Sequence, residues 1–309
     1  MAKPSDQLVP LRRDELRDRA VRALYRFGWR HGHRLPRRLV DRIVATVGAG
    51  ALRHNGVHLQ TLRRNLAVVV GRPVDETLMR AAVASYLRAF AEVLALPGWS
   101  RAEILDRVRT VNGDVLLRAY AERGAVVALP HSGNWDLAGA WACLSGMPVT
   151  TVAEQLGEAE FADFVAFRQR LGMEVLSHRE PTVISSLVDA VRRGRLVCLL
   201  ADRDLVDSGL PVRWGTEQIT MPAGPAIVAR RSGAALIPAV CRFTDNGMMI
   251  VFGDVVETRL GRDGLQAMLQ DVADFFAATI AEAPQDWHML QPFFAGPERH
   301  SPEPTGPAS

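Results

Sequence analysis

From Val111 onward, short continuous apolar runs alternate with stretches of helical periodicity. This alternation constrains the fold more than any other feature of the sequence. A strand that is apolar at every position must be covered on both faces. Ala125–Leu129, Val149–Ala153, Glu174–Leu176, Leu196–Ala201, Ala235–Cys241 and Met248–Phe252 read as strands. Helical spacing falls between them, over 161–171, 181–193, 225–232 and 265–282. Strands separated by helices of this length predict an α/β fold: a central mixed sheet flanked by helices.

The segment AVVALPHSGNWDLAGAW places chemistry on that frame. Its first five residues end a buried strand, and Pro130 stops it. His131, Ser132, Gly133 and Asn134 make a tight turn, and a helix starts at Trp135. The turn therefore sits at the carboxyl edge of the sheet, where open α/β folds place ligands. Asn134 or Ser132 caps the helix, whose N-terminus favours a developing negative charge nearby. Histidine is the side chain poised to take a proton near neutral pH. Asp136 lies one turn further on, placed to hold the imidazole in one tautomer. Ser132 lacks the G-x-S-x-G elbow of an activated serine. The expected reaction is direct: His131 deprotonates a substrate hydroxyl, which attacks a thioester with no covalent acyl-enzyme. Of eight histidines, only His131 has an aspartate five positions on. A bare pair is equally a turn histidine beside a helix cap, so the strand–turn–helix setting carries the reading.

The first 110 residues differ. They read as a helical region with pieces cut at Pro36, Gly71–Pro73 and Pro97–Gly98. Residues 1–70 hold 15 Lys/Arg against five Asp/Glu, whereas the whole chain has a net charge of only +3. Leu16, Ala20, Leu24, Phe27 and His31 share one face of a helix, and Arg17, Arg19, Arg22, Arg26 and Arg30 share another. This pattern suits an anionic membrane surface, or a solvated arginine face on a packed helix. The domains expected are 1–110, the helical membrane-associating region; 111–297, the α/β core; and 298–309, a disordered Pro/Ser-rich tail. Neither a signal peptide nor an apolar run of the ~20 residues a span requires is visible. The protein is expected as a monomer on the cytoplasmic face of the membrane.

Other chemistries lack their signatures. P-loop, G-x-G-x-x-G, H-E-x-x-H and C-x-x-C patterns are absent from the sequence, so no cofactor or metal is expected. Cys143, Cys198 and Cys241 lie in apolar segments and read as buried thiols. The basic N-terminus carries no nucleic-acid motif, and nucleic acid is not an expected partner.

HSGNWD resembles the H-x4-D motif of the bacterial lipid A lauroyl and lysophospholipid acyltransferase family. ALPHSGNWD, TVAEQL, FRQRLGMEVL, CLLADRDL, MPAGPA and DWHMLQP follow one another as the family's blocks do. The resemblance covers about residues 13–297. It implies a long-chain acyl-CoA donor, typically palmitoyl-CoA, consumed as substrate. It implies a mannosylated phosphatidylinositol as acceptor, acylated at a mannose 6-hydroxyl. It implies His131 as base with Asp136 as partner, Glu154 as a residue lining the site and Arg168 as one near the acyl donor. Asp202 stands in ADRD where related sequences carry glutamate, a side chain longer by one methylene. Whether Asp202 reaches His131 is open at this point. Arg203 and Ser208 follow it and are candidates for the donor site. Arg231, beside Arg230, is a candidate for CoA phosphates or else a solvated helix end. His288 in DWHMLQP reads as a packed structural histidine. An acyltransferase acting on another lysolipid or glycolipid acceptor, a non-catalytic membrane-surface lipid-binding protein and a thioester hydrolase remain as other readings.

Overall fold

The structure is a computed structural model that describes residues 35–153, 165–204 and 208–294. The basic helix expected near the N-terminus, Glu154 and the tail expected from residue 298 lie outside these residues.

Three helices come first. They are α1 (Arg37–His54), α2 (Val57–Val70) and α3 (Glu76–Ala95). Asp75 caps α3 by accepting from the Leu78 N–H. Helix α1 lies on α3, and Gly48 marks a close approach: a Cβ there would stand 3.3 Å from Leu87 Cδ1. After a 3₁₀ turn at Leu96–Gly98, the short helix α4 (Arg101–Arg107) opens with a capping box of Ser100 and Glu103. It leads into β1 (Val108–Val111).

The core alternates α5 (Gly113–Arg123), β2 (Ala125–Leu129), α6 (Trp135–Leu144), β3 (Val149–Ala153) and, after a helical stretch at 165–170, β4 (Glu174–Ser177). Then come α7 (Val183–Arg192), β5 (Leu196–Leu200), the hairpin β6 (Leu210–Trp214) and β7 (Glu217–Met221), and α8 (Gly224–Ser232). Strands β8 (Ala235–Phe243) and β9 (Met248–Phe252) and the long helix α9 (Gly261–Glu282) complete it. Seven strands form one sheet in the order β1-β9-β8-β2-β5-β3-β4. Its pairs are parallel except β8–β9. This is the mixed sheet expected from the sequence.

Central strand β2 is buried at all five positions. Val126 and Ala128 point into the core beneath α7, α8 and α9, which Leu62 and Leu66 of α2 and Met79 of α3 also enter. Ala125, Val127 and Leu129 point into the opposite core, beneath α5 and α6. Helices thus cover both faces. The helices before β1 share the first core with the sheet, and the composition change near Val111 falls at the end of β1 rather than ahead of it.

Two elements differ from the sequence expectation. Residues 108–111 form an edge strand rather than the end of a helical region; only Val108 of the four is buried. Residues 210–221 form a hairpin outside the main sheet, packed against α9, where Gln270 Oε1 accepts from the Arg213 N–H and Gln270 Nε2 donates to the Arg213 carbonyl.

Candidate active site

His131 and Asp202 sit at equivalent places on neighbouring strands. Leu129, the last residue of β2, is level with Leu200, the last of β5. Both side chains come two residues later, and the Ala201 N–H donates to the Leu129 carbonyl at 2.7 Å. Parallel register alone therefore brings the two groups together. His131 Nδ1 lies 2.6 Å from Asp202 Oδ1, and the His131 backbone N–H donates to Asp202 Oδ2 at 2.8 Å. Asp202 is 1% exposed, whereas the His131 side chain keeps 18% of its surface. Burial raises the Asp202 carboxyl, but the charge and hydrogen bonds of His131 and the bond from Trp287 outweigh it, and the net direction is down. An ionised Asp202 makes Nδ1 the protonated nitrogen. Nε2 is then left with its lone pair, which is the arrangement of a general base. Trp135 packs edge-on against the imidazole at 5.5 Å.

The turn is held from several sides. Gly133 has φ +55, and a Cβ there would lie 2.8 Å from the Cys241 carbonyl oxygen, so only glycine fits. Asn134 is the cap expected: its Oδ1 accepts from the Leu137 N–H, and its Nδ2 donates to Glu92 Oε2 on α3. Ser132 is 1% exposed, and its Oγ accepts from the Cys241 N–H. A buried, engaged hydroxyl beside the base is not placed as a nucleophile.

Asp136 does not hold His131. It is 3% exposed and accepts from Arg168 Nε at 2.6 Å. One residue into α6, its side chain has turned towards the helical stretch at 165–170. The expectation that Asp136 orients the imidazole is therefore corrected: that carboxylate is Asp202. The Asp136–Arg168 ion pair lines a narrow slot between α6 and the sheet, whose cavity measures ≈ 50 Å³. Its other walls are mostly apolar, among them Trp135, Val127, Leu129, Cys198, Leu200 and Met173. The small residues Ala138, Gly139 and Ala142 give α6 a face that leaves this space beside the sheet. A Cβ on Gly139 would stand 2.8 Å from Met173 Sδ.

The remaining candidates separate. Arg203 is half-buried directly after Asp202, and Ser208 is exposed on the same loop. Asp204 closes that loop by accepting from the Gly209 N–H at 2.7 Å. Arg231 is not brought to this site. It precedes β8, whose Ala235 is level with Ala125 at the start of β2, so it lies at the opposite end of the strands from His131. A helix after a strand runs back to the amino edge, which is why its last-turn arginine ends there. Among the described residues no cluster of His, Cys, Asp or Glu could hold a metal ion.

Sequence reasoning missed the surroundings of His288. Ser85 Oγ donates to Asp286 Oδ1 at 2.6 Å and lies 3.0 Å from His288 Nε2. A hydroxyl that donates to the carboxylate must accept from Nε2–H, so His288 is the neutral Nε2–H tautomer. Its Nδ1 is buried with no hydrogen-bond partner. The aspartate bonds serine rather than histidine, so the three residues form a structural network and not a relay. Burial, and then the charge of nearby His131, pushes the His288 imidazole down to about 3. An unfolded chain protonates this residue near its ordinary value of 6.5. Between those values the unfolded state binds the extra proton, so stability falls as pH drops, by about 1.4 kcal/mol per unit. Denaturant melts from pH 6.5 to 4.5 should show a shallower slope for His288→Gln, by close to one proton. An identical slope would place the proton uptake elsewhere.

The site is thus a sheet-edge histidine paired with a buried carboxylate, beside a mostly apolar slot. The family model described as bacterial lipid A biosynthesis acyltransferase matches residues 13–295. The chain belongs to this family, and it is an acyltransferase. It is 41% identical over 277 residues to the phosphatidylinositol mannoside acyltransferase of Mycolicibacterium smegmatis, covering 87% of this chain and 89% of that one. It is 40% identical over 277 residues to the protein of the same name from Mycobacterium tuberculosis, covering 87% and 86%.

Proposed function

We propose that this acyltransferase moves a long-chain acyl group, palmitoyl foremost, from acyl-CoA to the mannose 6-hydroxyl of a phosphatidylinositol mannoside. The observation that carries the reading is the His131–Asp202 pair beside the slot. The names of the relatives supply the acceptor class. The thioester carbonyl of the donor lies near the turn, beside the mostly apolar slot. His131 Nε2 takes the proton of the incoming hydroxyl as its oxygen attacks that carbonyl. Asp202 stabilises the imidazolium that forms. The N-terminus of α6 favours the negative charge on the tetrahedral intermediate. Collapse of the intermediate breaks the C–S bond, and the imidazolium returns its proton to the leaving thiolate. Arg203 and Ser208, next to the pair, suit the polar part of the donor. Glu154 remains a candidate from the family blocks.

Purified protein given palmitoyl-CoA with and without mannosylated phosphatidylinositol tests this. Thiol release that depends on the acceptor is expected. Acceptor-independent release would make the protein a hydrolase, and no release would leave a lipid-binding protein.

The enzyme works at the cytoplasmic face of the membrane. No helix among the described residues is long and apolar enough to cross a membrane. Helix α1 offers a surface instead: Leu39, Ile43 and Val47, four residues apart, are 45%, 48% and 51% exposed. The exposed Arg38, Arg42 and Arg53 flank that stripe, an arrangement suited to anionic lipid. Ile43→Glu and Val47→Glu should each weaken sedimentation with anionic vesicles by about tenfold. Wild-type binding by both variants would take α1 off the membrane.

A further inference from the structure

The segment Asp286–His288 crosses the catalytic turn as a strap. The Gly133 N–H donates to the Asp286 carbonyl at 2.9 Å, and the His288 N–H donates to the His131 carbonyl at 2.8 Å. Ser132 and Trp287 face each other between those bonds as an antiparallel bridge. The Trp287 ring is wholly buried, and its Nε1–H donates to Asp202 Oδ2 at 3.0 Å. That oxygen also accepts the His131 backbone N–H, while Oδ1 faces His131 Nδ1. The indole is fixed in turn by stacking on Trp214 of the β6–β7 hairpin, with centroids 5.7 Å apart and planes 16° from parallel. The strap thus reaches the carboxylate through Trp287, and the hairpin backs the indole.

We infer that Trp287 is a positioning residue of the reaction: its indole N–H fixes the carboxylate that orients the His131 base. The inference rests on the proposed role of His131. Two N–H donors on Oδ2 leave the carboxyl group one orientation, with Oδ1 towards the imidazole. Without the indole donor, one restraint on that rotation is gone. The donor has a second, measurable consequence. An N–H facing the His131–Asp202 pair favours its deprotonated, more negative form, wherever in the pair the proton sits. The deprotonated pair is the working form. Removing the N–H must therefore move the acidic limb of the pH profile to higher pH. The other ionisable neighbours are His288 and Asp286 on the strap and Arg203 after Asp202. His288 stays neutral across that range, and Asp286 is bonded to Ser85 and the Phe243 N–H.

The test uses the full chain with palmitoyl-CoA and mannosylated phosphatidylinositol, and measures kcat/KM against pH. Trp287→Phe removes the donor. Replacement of Trp287 by 3-benzothienylalanine removes the donor but keeps the ring shape and the stacking. Trp214→Phe alters the stacking and leaves the donor in place. For both changes at 287 we expect kcat/KM to fall about tenfold at its optimum, and the acidic limb to rise by about one pH unit. Trp214→Phe should leave the limb where it is. A wild-type limb in the 3-benzothienylalanine protein, or an equal rise in Trp214→Phe, would overturn the inference. If Trp287→Phe does not fold, the isosteric replacement decides alone. Unimpaired transfer by His131→Ala would instead overturn the base itself, which is a separate outcome.

Discussion

His131→Ala should lose acyl transfer by about 10²–10⁴-fold, the usual contribution of a positioned general base. The proposed acceptor is an alcohol, and its hydroxyl is a poor nucleophile until its proton is taken. His131 is the ionisable side chain of the turn with an uncommitted ring nitrogen, because Asp202 holds Nδ1 at 2.6 Å. Ser132 cannot substitute for it, being buried with its hydroxyl engaged by the Cys241 N–H. The loss should appear in kcat, since the proton moves only as the oxygen attacks. Donor binding should persist, because His131 acts on the acceptor hydroxyl rather than on the donor. Thiol release in a saturating mixture of donor and acceptor checks this, with the melting midpoint as control. Turnover above a tenth of wild type would remove His131 from the role of base.

Arg168→Met should be the most destabilising single change near the site. Asp136 and Arg168 have side chains 3% and 6% exposed and are joined at 2.6 Å. Removing the cation leaves a buried carboxylate without its countercharge, which typically costs about 3–5 kcal/mol. In a chain of this size that lowers the melting midpoint by on the order of 10 °C. Asp136→Asn in the same chain removes the stranded charge, and the double variant should recover a large part of the loss. Additive losses in the double variant would mean that the two groups act independently. The pair gives the Asp five residues after His131 a structural place without touching the imidazole. It anchors the first turn of α6 to the 165–170 helix and so shapes one wall of the slot.

Much of this was legible in the residues. The apolar runs at Ala125–Leu129 and Leu196–Leu200 are apolar throughout because helices cover both faces, so their positions followed from pattern alone. The turn chemistry was equally local: Pro130 ends the strand, Gly133 takes a positive φ, and Asn134 caps the helix. The partner of His131 was not local. Spacing along the chain favours Asp136, but a helix start carries it off towards Arg168. Asp202 is 71 residues away and reaches the imidazole through the Leu129–Leu200 register. Matching offsets from the ends of two apolar runs were a usable signal, once β2 and β5 are known to be neighbours. Strand order is a property of the whole sheet, which no local pattern encodes. The β6–β7 hairpin was obscured by Pro211, which argues against a strand, although the alternation in LPVRW and the Gly215–Thr216 turn at φ +60 fit a two-residue hairpin loop. Arg231 illustrates the converse: its charge suggested a phosphate contact, but its place at the end of α8 sets it at the far edge of the sheet.

The most direct test of the His131–Asp202 pair is transfer by Asp202→Asn beside wild type, with palmitoyl-CoA and mannosylated phosphatidylinositol as substrates. Asparagine keeps the size of the side chain but cannot stabilise an imidazolium as a carboxylate does. Wild type is predicted to acylate a mannose hydroxyl with no acyl-enzyme detectable by intact mass. Asp202→Asn is predicted to fall by about 10²–10⁴-fold while still folded. Transfer by folded Asp202→Asn at the wild-type rate, or an acyl-enzyme that goes on to acylate the acceptor, would contradict this mechanism.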